Sequence, residues 1–185
     1  MPDTSFEFPL MHGFPPFYTR QPTEATWESQ IGQWSQVILN YARHHRIFKL
    51  DLQQSTSPGG SDLFENTKIK RRLSFETLQE IIQAMTVQGT AEWEHGPKGP
   101  KDHAYIFWRR PEEWATLIWE WVNTNGLNNT VVTLYEITEG DLSEGQEFYG
   151  IDSQVLIMAI KVLVKRGDAQ LLEGNEGYMG VKFFG

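Results

Sequence analysis

The chain has 185 residues, 39% of them hydrophobic, with 7 Trp, 6 Tyr and 11 Phe. This length fits one domain or two small ones, and the apolar content is ample for packed cores. The sequence contains no cysteine, which excludes disulfides and thiolate metal sites and favours a reducing, cytosolic compartment. No apolar run approaches the roughly 18 residues of a membrane span, and residues 1–10 lack the features of a signal peptide. We therefore expect a soluble intracellular protein without direct membrane insertion.

The formal net charge of −8 is concentrated in the second part of the chain. Residues 1–110 hold 12 basic and 12 acidic side chains, whereas residues 111–185 hold 4 basic and 12 acidic ones. Nucleic-acid binding depends on clustered Lys and Arg that displace counterions from phosphates. The balance therefore argues against nucleic acid and against an anionic membrane surface. We interpret the only basic cluster as a solvated face; it consists of Lys68, Lys70, Arg71 and Arg72.

Residues 6–22 are rich in proline and aromatic side chains and have no regular periodicity. Prolines exclude an α-helix or a central strand, so we expect an extended, partly polyproline-II segment. The segment is too apolar for a solvated tail and needs a surface that covers it.

The next part of the chain has the element order of a winged-helix domain. Apolar side chains recur at helical spacing over Glu24–His45, and residues 47–52 are typical of a short strand. We expect a flexible loop over residues 53–62, a short helix over 63–72, a helix capped by Ser74 that stops at Gly89, and strands over 90–95 and 104–110. Helix, short helix, helix and hairpin is the winged-helix order.

The same order recurs after a short joint, residues 108–114. Pro111 suits the first position of a helix, so one unit ends at Arg110 and another begins at Pro111. The expected elements are a helix over 111–125, a strand over 130–133, a short helix over 134–140, an acidic loop over 141–150, a helix from the cap Asp152 to Gly167, and a hairpin of 169–172 with 181–184.

The third helices of the two units superimpose with a constant offset of 78 positions. Ser74 corresponds to Asp152 as the cap, and Gly89 corresponds to Gly167 as the stop. We therefore predict a mainly α fold with small β-hairpins (α+β), built as two tandem winged-helix domains. Residues 23–110 form the first winged helix, to which the extended segment of residues 1–22 also belongs, and residues 111–185 form the second.

The sequence offers little for catalysis or metal binding. The five histidines, which we interpret as exposed surface residues, lack metal-ligand spacing; they are His12, His44, His45, His95 and His103. No glycine-rich phosphate loop follows a strand. Helix capping explains Glu112 and Glu113 better than acid–base catalysis does, and a solvated loop explains Glu144 and Glu147. We expect no enzymatic activity, no cofactor and no metal.

A winged helix can bind DNA through its third helix, which makes a nucleic-acid-binding protein the alternative function. In the first unit that helix carries Glu76 and Glu80 and no Lys or Arg. In the second unit Lys161, Lys165 and Arg166 are offset by acidic surroundings. Because fold alone does not assign function, a scaffold for protein contacts is the better interpretation.

The sharpest motif is Phe14-Pro15-Pro16-Phe17-Tyr18, in which two prolines pre-organise an extended chain beside aromatic side chains. It fits a ligand of WW domains, a strap that folds back on its own domain, or a plug that docks onto a partner subunit. Composition alone favours the strap. Docking on a partner predicts that replacing Phe17 and Tyr18 by Ala abolishes assembly and leaves the isolated chain folded.

Several motifs in this order resemble the small subunit of the endosomal sorting complex ESCRT-II, the vacuolar protein sorting subunit 25 family, of fungal type. The resemblance runs nearly end to end. It rests on Phe14-Pro15-Pro16-Phe17-Tyr18-Thr19 with Gln21-Pro22, Trp108-Arg109-Arg110-Pro111-Glu112-Glu113-Trp114, Asn128-Asn129, Thr133-Leu134-Tyr135-Glu136 and Gly180-Val181-Lys182-Phe183-Phe184.

The resemblance implies a non-enzymatic adaptor that sorts ubiquitinated cargo into multivesicular bodies on endosomes. Two copies would join one copy each of two larger subunits. The first domain would bind those subunits through Phe14, Pro15, Pro16, Phe17 and Tyr18. The second domain would recruit a subunit of ESCRT-III, with Lys161 and Lys165 as candidate contacts.

Overall fold

The computed structural model describes residues 5–185, and the chain divides into two compact units, one ending at Trp108 and the other beginning at Arg109. In the first unit, two 3-10 helices (Leu10–Gly13 and Pro15–Tyr18) precede α1 (Glu24–His45), β1 (Lys49–Asp51), α2 (Leu52–Ser55), β2 (Glu65–Asn66), β3 (Arg71–Arg72), α3 (Phe75–Gln88), β4 (Ala91–Trp93) and β5 (His103–Ile106). The second unit contains α4 (Pro111–Thr124), β6 (Val131–Thr133), α5 (Leu134–Glu139), α6 (Ser153–Arg166), β7 (Ala169–Gly174) and β8 (Gly177–Phe183).

Helix α1 has the predicted bounds and forms one wall of the first core. Its side chains at helical spacing are buried, among them Trp27, Trp34 and Ile38. The helix ends at His45 and is capped by Arg46, whose backbone is left-handed with φ of 54°. That conformation allows a carbonyl of the last turn to accept a hydrogen bond: the Ile47 N–H donates to the Ala42 carbonyl at 2.8 Å.

Each unit carries a small antiparallel sheet beside its helices. In the first unit β5 lies between β1 and β4, with Leu50 opposite Ala104 and Trp93 opposite Ala104 on the other side. In the second unit β8 lies between β6 and β7, and α4 packs against α6. Mixed helices and short antiparallel strands confirm the predicted α+β class.

The offset of 78 positions holds for the observed elements. Adding 78 to the bounds of α3 yields the bounds of α6. Ser74 caps α3 by accepting from the Thr77 N–H, and Asp152 caps α6 by accepting from the N–H groups of Gln154 and Val155. The glycines that follow, Gly89 and Gly167, are left-handed with φ of 77° and 83°, a conformation that glycine adopts without a steric penalty.

Residues 63–72 form a hairpin of β2 and β3, not the predicted helix. The Leu73 N–H donates to the Phe64 carbonyl at 2.8 Å, and both side chains are fully buried. Lys70 turns the chain with a φ of 54°. Burial of an apolar side chain at each end of the hairpin outweighs the weak helical periodicity between them.

Three further expectations need correction. Residues 52–55, partly within the predicted loop, form the short helix α2, capped by the Asp51 carboxylate. Residues 6–22 contain two 3-10 helices, of which the second begins with Pro15 and Pro16, whose fixed φ also suits a 3-10 helix. Strand β5 ends at Ile106 rather than at residue 110, and strands β7 and β8 are longer than predicted.

Within residues 5–185, no helix is both long enough and apolar enough to cross a bilayer.

Candidate functional site

The segment of residues 6–22, which we call the strap, is bound along α1 by hydrogen bonds to its backbone. The buried Gln30 amide donates to the carbonyls of Phe17 and Thr19 at 2.7 and 3.0 Å. The indole N–H of Trp34 donates to the Phe17 carbonyl at 2.9 Å. Since buried carbonyls without partners are costly, these two side chains make the apolar contacts of the strap possible.

Phe17 and Tyr18 lie on the inner face of the strap. Phe17 is 2% exposed and stacks on Trp34, with ring centroids 4.1 Å apart and an interplanar angle of 6°. The Tyr18 hydroxyl donates to the His12 carbonyl at 2.8 Å, and burial raises the pKa of Tyr18. Both are core residues of the first unit, which favours the strap among the three interpretations of the motif.

His12 is buried as well, so its interpretation as a surface residue was wrong. Its Nε2–H donates to the Leu63 carbonyl at 3.0 Å, and its ring stacks on Phe8 with centroids 4.0 Å apart. The Asn66 amide donates to the His12 carbonyl at 2.9 Å. Desolvation by burial lowers the pKa of His12. Sequence periodicity offered no signal for this, because His12 lies outside any amphipathic element.

The outer face of the strap is apolar and accessible. Leu10 is 97% exposed and Phe14 is 51% exposed. A cavity of about 230 Å³ is lined by Met11, Phe14 and Pro16 together with polar side chains of α1. A second cavity, of about 440 Å³, lies beside Phe8 and Pro9. The proline–aromatic motif is thus divided: Phe17 and Tyr18 hold the strap, whereas Phe14 and Pro16 face outward.

The histidines of the first unit do not form a metal centre. His103 lies beside three carboxylates, with Nδ1 3.2 Å from Asp102, Nε2 3.3 Å from Asp51 and Nδ1 3.9 Å from Glu94. The hydrogen bond to Asp102 and the surrounding negative charge raise the pKa of His103. In the part of the chain that the structure describes, no group of three or more His, Cys, Asp or Glu could hold a metal ion.

One residue of each acidic pair considered for catalysis has a structural partner. Glu113 accepts from the backbone N–H of Arg110 at 2.7 Å, which is the capping role expected of it at the start of α4. Glu147 forms an ion pair with Arg109.

The predicted contacts of the second unit lie on α6. Both Lys161 and Lys165 are exposed. The Lys161 ammonium lies 5.8 Å from the centroid of the Tyr178 ring, a cation–π geometry that ties α6 to β8. Lys165 lies in the last turn of the helix, where the helix dipole favours positive charge.

The second unit also has an apolar groove with an acidic rim, which sequence reasoning missed. The groove has a volume of about 510 Å³, and Val131, Tyr135 and Leu142 line it while being 57%, 65% and 61% exposed. Glu139 and Asp141 stand beside them. Since these residues come from β6, α5 and the following loop, no single amphipathic stretch indicates the groove.

The comparisons with known proteins agree with this architecture. The family model described as ESCRT-II complex subunit matches residues 11–152. The chain belongs to the ESCRT-II subunit family. It is 39% identical over 180 residues to vacuolar protein-sorting-associated protein 25 of Danio rerio, a match covering 97% of this chain and 99% of that protein. This confirms the family resemblance drawn from the motifs.

Solved structures of this family have the same fold. The crystal structure of subunit VPS25 of the endosomal trafficking complex ESCRT-II is similar with a TM-score of 0.84 and 29% identity, covering 95% of this chain and 98% of that one. A chain in the crystal structure of the ESCRT-II complex VPS22/VPS25/VPS36 is similar with a TM-score of 0.82 and 30% identity, with the same coverage. The predicted winged-helix architecture is consistent with both.

Replacing Phe17 by Ala should destabilise the first unit by about 3–5 kcal/mol, because it removes a fully buried ring from the stack on Trp34. Phe14→Ala is the matched control, an aromatic truncation in the same strap at a half-exposed position, and should change the free energy of unfolding by less than about 1 kcal/mol. Urea unfolding followed by tryptophan fluorescence measures both. Similar losses in the two variants would contradict the division into inner and outer faces.

Two histidines should contribute to the pH dependence of stability with opposite sign. The pKa of His12 is lowered from 6.5. Its favourable contribution to the free energy of unfolding is therefore present above pH 6.5 and is lost as the pH falls below that value. The pKa of His103 is raised from 6.5, so its contribution is present below that value and is lost as the pH rises through the raised pKa.

As the pH falls from about 7.5 to about 5.5, we therefore expect the free energy of unfolding of His103→Asn to decrease by more than that of the unsubstituted chain. Glu94 and Asp102, whose pKa values are lowered from 4.5 and 3.8, titrate below this window. Urea midpoints at several pH values measure the difference. If the free energies of unfolding of the variant and of the unsubstituted chain changed in parallel with pH, the carboxylates around His103 would not stabilise its protonated form.

Proposed function

We propose that this chain is a non-enzymatic adaptor subunit of an ESCRT-II complex, acting in endosomal sorting of ubiquitinated cargo into multivesicular bodies. Its membership of the ESCRT-II subunit family supports this function, as does its likeness to a chain of the solved complex VPS22/VPS25/VPS36. In this proposal two copies join one copy each of two larger subunits. The complex associates peripherally with endosomal membranes.

The outer face of the strap is the proposed anchor to the larger subunits. The observation that carries this assignment is the exposure of Leu10 and Phe14 beside the two shallow cavities, while Phe17 and Tyr18 are held inside. Each large apolar side chain that a partner buries contributes about 1.5–3 kcal/mol. Within the proline–aromatic motif, Phe14, Pro15 and Pro16 contact the partner directly, and Phe17 with Tyr18 fixes their geometry.

The second unit is the proposed contact for an ESCRT-III subunit. The acidic and apolar side chains that line the groove around Tyr135 and Leu142 suit a segment that carries both apolar and basic side chains. The predicted contact through Lys161 and Lys165 uses the exposed side of α6 instead. These two surfaces are distinct sets of residues and can be altered separately.

Nucleic-acid binding, the alternative function, is less well supported. Helix α3, which would enter the major groove, presents Glu76 and Glu80 at its exposed positions. The Glu80 carboxylate pairs with Arg20 at 2.6 Å. Phosphates require the opposite charge on this helix.

Assembly should depend on the outer face of the strap. The double variant Leu10→Ser/Phe14→Ala should weaken co-purification with the two larger subunits at least tenfold, since it removes two exposed apolar side chains that the partner would bury. Its thermal unfolding should match that of the unsubstituted chain. Val87→Ser is the control, because Val87 is 81% exposed at the end of α3, outside the strap. Undiminished co-purification of the double variant would refute the anchor.

Recruitment of ESCRT-III should depend on the groove of the second unit. Tyr135→Ser/Leu142→Ser should abolish binding of a purified ESCRT-III subunit and leave assembly with the larger subunits intact. Lys161→Glu/Lys165→Glu is tested in parallel. Loss confined to the lysine variant would assign the contact to the exposed side of α6. Full binding by both variants would contradict a contact at either surface.

A further inference from the structure

The turn between α4 and β6 contains Asn125-Gly126, the only Asn-Gly pair in the sequence. Asn125 is the C-cap of α4, and both residues are exposed. An asparagine that precedes glycine places an electrophile, its side-chain carbonyl carbon, close to a nucleophile, the next backbone nitrogen. Glycine has no side chain that hinders their contact. The pair therefore holds both reactants of a chemical modification that the adaptor role does not involve.

Gly126 leaves the attacking nitrogen accessible. Its backbone is left-handed with φ of 65°, a conformation that glycine adopts without a steric penalty. Apart from its chain neighbours, no heavy atom among residues 5–185 lies within 4 Å of the position that a Cβ at Gly126 would occupy. The Gly126 N–H donates to the Asn123 carbonyl at 3.3 Å, which is longer than the usual range of about 2.7–3.2 Å. A weak hydrogen bond thus holds the nitrogen on an open side of the turn.

The side chain of Asn125 is held at the end of α4 by hydrogen bonds that only the last turn provides. Its Nδ2 donates to the Trp121 carbonyl at 2.8 Å, and its backbone N–H donates to the same carbonyl at 3.0 Å. With ψ of 3°, the Asn125 backbone must rotate before the Gly126 nitrogen meets the side chain. Helix ends fray first, and opening one turn does not require the unit to unfold. Local opening is therefore sufficient to bring the two reactants together.

We propose that Asn125 is a site of spontaneous deamidation in the folded protein. The Gly126 nitrogen loses its proton to solvent and forms a bond to Cγ of Asn125, and Nδ2 takes up a proton and leaves as ammonia. Water then opens the resulting cyclic imide at either of its carbonyl groups, which yields aspartate or isoaspartate at position 125. The reaction consumes only water. The proposal is independent of the adaptor role.

Either product alters the end of α4. A carboxylate cannot donate to the Trp121 carbonyl, and its charge is unfavourable beside the negative end of the helix dipole. Isoaspartate also adds a methylene group to the backbone shortly before Leu127, whose N–H donates to the Val122 carbonyl at 2.9 Å. Trp121 and Leu127 both line the groove of the second unit. Deamidation therefore changes the chain at one side of that groove.

Incubation of the full chain at neutral pH, followed by peptide mapping with mass spectrometry, tests the site. We expect Asn125 to deamidate at least tenfold faster than Asn175, an exposed asparagine that precedes Glu176 in the turn between β7 and β8. The matched variants are Asn125→Gln and Asn175→Gln, which keep an amide on a longer side chain. An isoaspartyl methyltransferase with labelled S-adenosylmethionine should label the incubated unsubstituted chain and Asn175→Gln equally, and Asn125→Gln at least tenfold less.

Equal rates at Asn125 and Asn175, or labelling that Asn125→Gln retains, would overturn the proposal. Urea below the unfolding midpoint distinguishes local opening from unfolding of the whole unit. A deamidation rate that rises only slightly with urea supports reaction in the folded protein, because opening one turn exposes little surface. A rate that rises as steeply as the unfolded fraction would overturn the proposal, because Asn125 would then react only in the unfolded chain.

Discussion

The packing of the first unit depends on the hydrogen bonds that two side chains of α1 donate to the backbone of the strap. Gln30 and Trp34 supply the donors for the carbonyl of Phe17, which would otherwise be buried without partners. Once those hydrogen bonds exist, the Phe17 ring can stack on Trp34 and Tyr18 can close over His12. A proline-rich segment has few amide hydrogens of its own, so its burial relies on donors from elsewhere. Here side chains of α1 supply these donors.

The proline–aromatic motif has a buried part and an exposed part. Phe17 and Tyr18, at the end of the second 3-10 helix, are buried, whereas Pro16 and Phe14, which precedes that helix, are exposed. Because the inner residues fix the outer ones in place, the proposed contact with a partner would lose less conformational entropy on binding. The structure shows the strap on the buried face of this segment, and docking on a partner is the function that we propose for its outer face.

The repeated scaffold carries different surfaces in its two copies. Helices α3 and α6 share bounds, caps and terminal glycines at the constant offset, because these features hold the helix in place whatever its partner. Before α3 the chain forms a basic hairpin, whereas before α6 it forms α5 and an acidic loop. The hairpin presents Lys70 and Arg71, and the corresponding region of the second unit presents Glu139 and Asp141 beside an apolar groove. Charge, rather than fold, distinguishes these surfaces of the two units.

The sequence alone determined the long helices, their caps and the doubling of the fold, because periodicity, capping and left-handed glycine act over a few neighbouring residues. It also determined the family, through motifs whose order is specific. It did not determine the hairpin of residues 65–72, the burial of His12, the three carboxylates around His103, or the two faces of the strap. Each of these depends on residues distant in the chain: Phe64 and Leu73 need a common core, and Phe17 needs donors from α1. Only the tertiary structure decides such pairings, since local patterns cannot show which buried surface or hydrogen-bond donor lies opposite.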